Sequence, residues 1–202
     1  MNSMIFDRTA LQSLVCAFAV LCMPPVGRGQ DTLKSGPQTG ESLPGNFNAL
    51  NINGRWAGKT VSLIQLLRGY AEPNPPRPFA VLFVRSADER TVQLIKKLDD
   101  EMVHSKKLRV GVVYLSDDPK INASLEKLVE KQKIREAVIS TYPYGGSEGP
   151  EKWRISKEAD VTVIFSYDRF KVQANFAFRK GELGEKQVEK IMNTAKNVKS
   201  KE

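Results

Sequence analysis

The run FAVLFVRSADERTVQLIKKL, residues 79–98, contains the change of pattern that decides the fold. Phe79 to Arg85 form a continuous apolar run, which is typical of a strand covered on both faces of a sheet. After the turn, apolar residues recur at helical spacing, at Val92, Ile95, Leu98 and Met102. The sequence therefore predicts a buried strand that leads directly into an amphipathic helix. The turn between them holds Ser86, Ala87, Asp88 and Glu89, with no cysteine, histidine or glycine-rich loop.

The same alternation continues toward the C-terminus. Leu108 to Ser116 predict a second buried strand, and Asp118 followed by Pro119 predicts the start of the next helix. The apolar face of that helix consists of Leu125, Leu128 and Val129. Glu136 to Thr141 predict a third, short strand.

A long Gly- and Pro-rich loop, 142–159, separates this part from a predicted hairpin. The hairpin runs from Val161 to Phe165, turns at Tyr167-Asp168-Arg169, and returns from Val172 to Phe178. A last helix presents Val188, Ile191, Ala195 and Val198 on one face. Strands and helices in this order predict an α/β fold with a central mixed β-sheet flanked by helices in three α/β/α layers.

Toward the N-terminus the pattern is less regular. Phe47 to Gly54 indicate a short strand that ends in an Asn-Gly turn. Residues 58–70 fit either a short helix capped by Ser62 and ended by Gly69 or an irregular arm. Ala71 to Pro78 contain four prolines and are expected to form a stiff connector.

The first 29 residues have the pattern of an export signal. A basic start precedes the apolar run Leu11 to Met23, and Gly27 and Gly29 lie before a cleavage point at Gln30. The run is shorter than the about 20 residues of a membrane span. We therefore expect a signal peptide over 1–29, a flexible lead-in over 30–46 and one domain over 47–199; an uncleaved anchor is the alternative.

Cleavage would remove both cysteines of the chain, Cys16 and Cys22. The mature protein would then have no thiol chemistry, no Cys-ligated metal and no disulfide switch. The net charge would fall from +8 for the full chain to +7 for the mature protein, because two arginines and one aspartate leave with the signal. The lysines are spread along helices and the tail, so no nucleic-acid partner is expected.

This order of elements resembles the thioredoxin-like family, and within it the exported redoxin or peroxiredoxin-like proteins. The resemblance covers Leu43 to Val198 and is carried by LPGNF (43–47), by FAVLFVR (79–85) and by the hairpin ADVTVIF…NFAFRKGEL. It implies a thioredoxin-like fold in a periplasmic or secreted protein. It also implies a redox site at the end of the first buried strand.

At that site the sequence departs from the family. Active members carry a cysteine there, often as Cys-x-x-Cys, because a helix N-terminus stabilises a thiolate. The equivalent positions here are filled by Ser86, Ala87, Asp88, Glu89 and Arg90. The positions equivalent to the family's cis-proline are Asp160 and Val161, neither of which favours a cis bond.

The residues of the turn themselves predict a capping box. In that arrangement the Ser86 hydroxyl accepts from the backbone N–H of Glu89, and the glutamate reaches back to residue 86. Ser86 lacks a base for nucleophilic work, since the single histidine, His104, lies about 27 Å along the predicted helix. No catalytic residue, metal site or cofactor is therefore expected.

For several other residues a structural role is favoured over a functional one. His104 is expected on the surface near a helix C-terminus, and Asp117-Asp118 fit a helix start better than half of a metal site. The loop YGGSEGP (144–150) lacks the lysine of a phosphate loop but has the length of a binding loop. Trp153 and Tyr142 are expected to pack beneath it, with an aromatic contact surface as the alternative.

The sequence thus predicts an exported thioredoxin-like domain without catalytic cysteines. Its predicted role is that of a non-catalytic binding or interaction module for an unknown protein or ligand, with no membrane span after cleavage. The alternative is a thiol-disulfide oxidoreductase or peroxiredoxin-type protein that acts with a cysteine-bearing partner or retains Cys16 and Cys22. A weak binder of anionic polymers is a third hypothesis.

Overall fold

The computed structural model of the chain describes residues 32–69, 77–167 and 170–198. The predicted export segment with Cys16 and Cys22, most of the proline-rich connector, and the two residues at the tip of the predicted hairpin lie outside these ranges. Within the described part, no helix is long and apolar enough to cross a membrane.

Seven strands and four α-helices make up the described fold. The strands are β1 (Asn48–Asn51), β2 (Thr60–Ser62), β3 (Phe79–Val84), β4 (Arg109–Tyr114), β5 (Val138–Thr141), β6 (Val161–Tyr167) and β7 (Lys171–Phe178). The helices are α1 (Leu63–Arg68), α2 (Glu89–Ser105), α3 (Ile121–Gln132) and α4 (Glu185–Asn197). Short 3-10 turns lie at Gly54–Trp56, Gly146–Glu148 and Glu151–Trp153.

The strands form one mixed sheet in the order β2-β1-β5-β4-β3-β6-β7. β3 and β5 each pair in parallel with β4, and the remaining pairs are antiparallel. All six residues of β3 are buried, as the uninterrupted apolar run predicts for a strand at the centre of a sheet.

Helices cover both faces of the sheet, which confirms the predicted α/β layers. On one face the alternate β3 residues Ala80, Leu82 and Val84 pack with apolar residues of α2, α3 and α4. On the other face Phe79, Val81 and Phe83 pack with α1 and with Trp153. The face of the last helix is also as predicted, since Val188, Ile191 and Ala195 are buried.

One predicted helix start differs from the structure, and a second lacks the expected side-chain cap bond. The helix that was expected to begin at Pro119 begins at Ile121, and its N-cap residue Lys120 makes no side-chain cap bond. The Asp118 carboxylate instead accepts from the backbone N–H of Lys120 in a local turn. Residues 58–70 contain β2 and α1, and Gly69 ends the helix with φ +74°, although Ser62 makes no side-chain cap bond.

The described part of the expected lead-in, 32–46, does not extend freely but packs against β6 and β7. The hydroxyl groups of Ser35 and Thr162 lie 2.7 Å apart in a buried hydrogen bond. Asn175 donates to the carbonyls of Ser35 and Pro37, both at 2.8 Å. This segment satisfies polar groups along the β6–β7 edge of the sheet, which its polar composition alone does not reveal.

Candidate functional site

The candidate site is the turn between β3 and α2 together with the residue that faces it from the start of β6. Ser86 Oγ donates to Asp160 Oδ2 at 2.7 Å. The backbone N–H of Arg85 donates to the Asp160 carbonyl at 2.9 Å, which extends the antiparallel pairing of Val84 with Val161. Sheet pairing therefore brings together Ser86 and Asp160, which are 74 residues apart in the sequence.

The first turn of α2 is capped by Asp88, not by Ser86. The Asp88 side chain accepts from the backbone N–H of Thr91 at 2.8 Å, and the helix begins at Glu89. The predicted capping box is therefore wrong, because the Ser86 hydroxyl donates to Asp160 and the Glu89 carboxylate accepts from Gln93 one turn further on. The helix N-terminus is still neutralised by a carboxylate of its own turn, which also suits the helix dipole.

Arg85 ties the candidate site to the long loop before β6. Its guanidinium donates to the backbone carbonyls of Ala159 (3.0 Å), Ser156 (3.2 Å) and Ser147. Burial lowers the pKa of Arg85 from its usual value, and the charges of Glu148, Asp160 and Asp117 oppose that shift.

Asp117 holds the same loop from the other side. Its carboxylate accepts from the Ser147 hydroxyl (2.5 Å) and from the Ser147 backbone N–H (3.0 Å). These hydrogen bonds, first that of the hydroxyl, lower the pKa of Asp117 below its ordinary value. Asp117 therefore anchors a loop, which corrects its predicted place in a helix start.

The aromatic residues of this region divide into a buried and an exposed group. Trp153 is 1% exposed and packs against Phe47 and Phe83, with ring centroids 5.2 and 5.4 Å apart, which confirms the expectation that it packs beneath the loop. Tyr142 is partly buried and meets Tyr144 edge-on at 5.9 Å. Tyr144 is 58% exposed and is the one large hydrophobic residue of the described ranges classed as exposed.

Two buried hydroxyl groups lie next to the turn without a hydrogen-bond partner. They belong to Thr91, in the first turn of α2, and to Tyr114, which pairs with Val84 at the end of β4. Burial, and to a smaller extent the charge of Asp88, raises the pKa of Tyr114. Tyr114 therefore stays protonated and neutral behind the turn.

His104 lies in the last turn of α2, where the sequence predicts it. Its Nδ1 is 2.6 Å from the Asp100 carbonyl, an interaction local to the helix. Among the described residues, no cluster of three or more His, Cys, Asp and Glu side chains is arranged to hold a metal ion.

Sequence reasoning identified the turn but missed the roles of Arg85 and Asp117. The available signal for Arg85 was a charged residue placed directly after six apolar ones, at the point where a central strand ends. Nothing local to Asp117 points to Ser147, since the two residues meet only through the fold.

The comparisons with known proteins agree with this architecture. No protein-family model matches the chain, and no curated protein sequence matches it. A thioredoxin-like protein from Bacteroides caccae superimposes with a TM-score of 0.54 at 14% identity, over 80% of this chain and 50% of that one.

Two further solved structures match this chain over most of their own length. A peroxiredoxin-like protein from Aquifex aeolicus gives a TM-score of 0.51 at 16% identity, over 83% of this chain and 89% of that one. The thioredoxin domain of a thiol-disulfide oxidoreductase from Bacteroides vulgatus gives a TM-score of 0.51 at 15% identity, over 79% of this chain and 99% of that one. The chain therefore has a thioredoxin-like fold, as predicted, and at these identities the likeness concerns the fold alone.

Proposed function

We propose that this chain is a thioredoxin-fold binding module that has replaced thiol chemistry with a fixed polar turn. In this proposal residues 86–90 occupy the position of the family's redox site, and Asp160 and Val161 occupy that of its cis-proline. The observation that carries the proposal is the Ser86–Asp160 hydrogen bond of 2.7 Å beside the helix cap formed by Asp88.

The chemistry of the turn opposes a thiolate-based mechanism. A reactive thiolate needs a positive local environment, which the free N–H groups of a helix N-terminus supply. Here one of those groups is already bound by the Asp88 carboxylate, and Asp160 adds a second acidic side chain. No cysteine follows Cys22 in the sequence, so the whole described part of the chain lacks a thiol.

The loop beside the turn supplies the proposed contact surface. Arg85 and Asp117 hold Ser147 from two sides, so the loop is fixed in shape before any partner arrives. A preorganised loop loses less conformational entropy on binding, and exposed aromatic residues such as Tyr144 are frequent anchors of interfaces. The partner proposed for this surface is another protein or a ligand presented outside the cytoplasm.

Export is part of the same proposal and rests on the signal-like pattern of residues 1–29. Cleavage before Gln30 would remove Cys16 and Cys22. The alternative is an oxidoreductase-like role in which these cysteines are retained or a partner supplies the thiol. The fold favours this alternative to the extent that one structural neighbour is the thioredoxin domain of a thiol-disulfide oxidoreductase.

One experiment separates the binding module from an oxidoreductase that keeps its own cysteines. The protein is recovered from its native host and its intact mass is measured with and without a thiol-alkylating reagent; the same sample is assayed for dithiothreitol-driven reduction of insulin disulfides. A mass that begins near Gln30, no alkylation and no acceleration over dithiothreitol alone support the binding module. Two labels together with insulin reduction would support the oxidoreductase.

The contact surface is tested by site-specific crosslinking in the native host. Benzoylphenylalanine at position 144 is expected to give a discrete adduct with one partner, whereas the same residue at Lys196, on the exposed side of α4, is expected to give none. Equal adducts from both positions would contradict a surface at Tyr144.

A further inference from the structure

A cavity lies at the β2 edge of the sheet and belongs to none of the features described above. It measures about 500 Å³ and is bounded by β1, β2, α1 and the chain that enters β5. We call it the β2 cavity. Its lining combines polar side chains with apolar ones, among them Asn51, Ser62, Gln65, Val61, Leu66 and Val138.

Two residues that line the β2 cavity have buried polar atoms without hydrogen-bond partners. Asn51 is 1% exposed, and neither its amide nitrogen nor its amide oxygen has a partner. The Ser62 hydroxyl is also buried and unpaired. Buried polar groups in proteins are nearly always hydrogen-bonded, and one left unpaired destabilises the fold. Three such atoms in residues that line one cavity are groups that a polar ligand can satisfy.

Asn53, two residues further on, shows what a structural asparagine does in this setting. Its amide donates to the Ala137 carbonyl at 2.9 Å and accepts from the Ile139 N–H at 2.8 Å. The backbone of Asn51 is equally well bound, since its N–H donates to Lys59 and its carbonyl accepts from Gly58. The Asn51 side chain, by contrast, makes no hydrogen bond to a neighbouring strand.

The chemistry of the lining selects a class of ligand. An asparagine amide offers one acceptor and a donor in one plane, and it is complementary to another amide or to a lactam edge. Val61, Leu66 and Val138 supply apolar walls. Three lining residues are charged, Arg55, Arg135 and Glu136. Arg55 lies over the Trp56 ring at 5.1 Å, Arg135 is paired with Asp100 at 3.0 Å, and Glu136 adds a negative charge that an anion would meet. The cavity thus favours a neutral molecule over an anion.

We propose that the β2 cavity binds a small neutral molecule in which a carboxamide or lactam group is attached to a ring. The Asn51 amide pairs with this group, and the ring lies against the apolar walls. The Asn51 amide atoms are covered, so binding requires the side chain to turn toward the ligand. No side-chain hydrogen bond opposes that rotation.

Benzamide is the probe that tests the proposal. It is titrated into the ¹⁵N-labelled full-length chain while the amide resonances are followed by NMR. Saturable shifts are expected at residues 51, 62 and 65, with a dissociation constant of about 1 mM, a reasonable affinity for so small a molecule. Acetophenone lacks the amide donor and benzoate carries a charge; both are expected to bind at least about tenfold more weakly.

The variant Asn51→Leu separates binding from folding. It is expected to abolish the benzamide shifts and to raise the melting temperature by about 2–4 °C, because an unpaired buried amide is replaced by an apolar side chain of similar size. The matched variant Asn53→Leu is expected to lower the melting temperature, because it breaks two hydrogen bonds. Asn51→Ala provides a second measurement of the lost affinity.

Three results would overturn the proposal. The first is the absence of saturable shifts with benzamide, and the second is equal binding of benzamide and acetophenone. The third is a loss of stability in Asn51→Leu as large as that in Asn53→Leu, which would mean that the Asn51 amide serves the fold.

Discussion

At the scale of single residues, buried charge is used to anchor chain segments that carry no regular structure. Asp99, on α2, is fully buried. Its carboxylate accepts from the backbone N–H groups of Arg135, Glu136 and Ala137, at 3.1, 2.7 and 2.9 Å. Lys96 lies 3.6 Å from the same carboxylate. One side chain therefore fixes the segment that leads into β5.

Replacement of this carboxylate is expected to be costly. Asp99→Ala removes the acceptor of three backbone donors, of which that of Ala137 is buried, and should lower the free energy of unfolding by about 3 kcal/mol. Asp99→Asn keeps one acceptor oxygen and should lose clearly less. Urea denaturation of both variants checks the order. Equal losses would mean that charge, not the acceptor, holds the segment.

Asp117 makes the long loop sensitive to acid. Its pKa is lowered in the folded protein, mainly by the Ser147 hydroxyl, so the unfolded chain takes up its proton at a higher pH than the folded one. The contribution of Asp117 to stability is therefore present above the unfolded pKa and is lost as the pH falls through the folded value. On acidification the Ser147 amide resonance should move below the ordinary titration range of aspartate. In Asp117→Asn that transition should be absent; its persistence would assign the transition to another group.

At the scale of elements, α2 shows how one turn combines a helix start with a sheet contact. Asp88 caps the helix, while Ser86 turns its hydroxyl away toward Asp160. The exposed side chain of Glu89 binds only Gln93 within the helix. Asp88 and Glu89 are adjacent in sequence, but only Asp88 caps the helix.

Single substitutions distinguish the observed cap from a capping box. Asp88→Ala should destabilise the protein by about 1 kcal/mol, the usual cost of losing an N-cap side chain. Glu89→Ala should change stability by less than about 0.5 kcal/mol, because it removes only a surface contact. Thermal melts of the two variants provide the measurement. A larger loss for Glu89→Ala would revive the capping box.

At the scale of the whole molecule, residues 35–43 complete the sheet edge formed by β6 and β7. Leu43 is 7% exposed and belongs to the core on the α1 side. Gly40 and Glu41 exchange backbone hydrogen bonds with Val172. This segment is therefore part of the domain and acts as a cover for the last two strands.

Shortened chains test this cover. A chain that begins at Phe47 should lose about 3 kcal/mol relative to one that begins at Thr32, because it gives up the burial of Leu43 and several hydrogen bonds. Ser35→Ala in the longer chain should account for a smaller part of the loss, through its bond to Thr162. Urea midpoints provide the comparison. Equal stability of the two chains would show that the segment contributes nothing to the fold.

Periodicity was sufficient to predict most of the elements. The buried strand at 79–84, the helix that follows it, the hairpin and the last helix were all predicted from apolar spacing, because burial in a layered fold imposes that spacing on the sequence. Helix starts were predicted less well. At Asp118 and Ser86 the expected cap side chains make other hydrogen bonds, and a short polar side chain has several possible partners within reach.

The sequence by itself determined the order of strands and helices in a layered α/β fold and the absence of a thiol after Cys22, because apolar periodicity and residue identity are local properties. The tertiary structure decided which polar groups meet. It paired Ser86 with Asp160, tied Asp117 to Ser147, and left the Asn51 amide without a partner. These outcomes depend on sheet register and loop path, through which residues far apart in the chain come within hydrogen-bond distance.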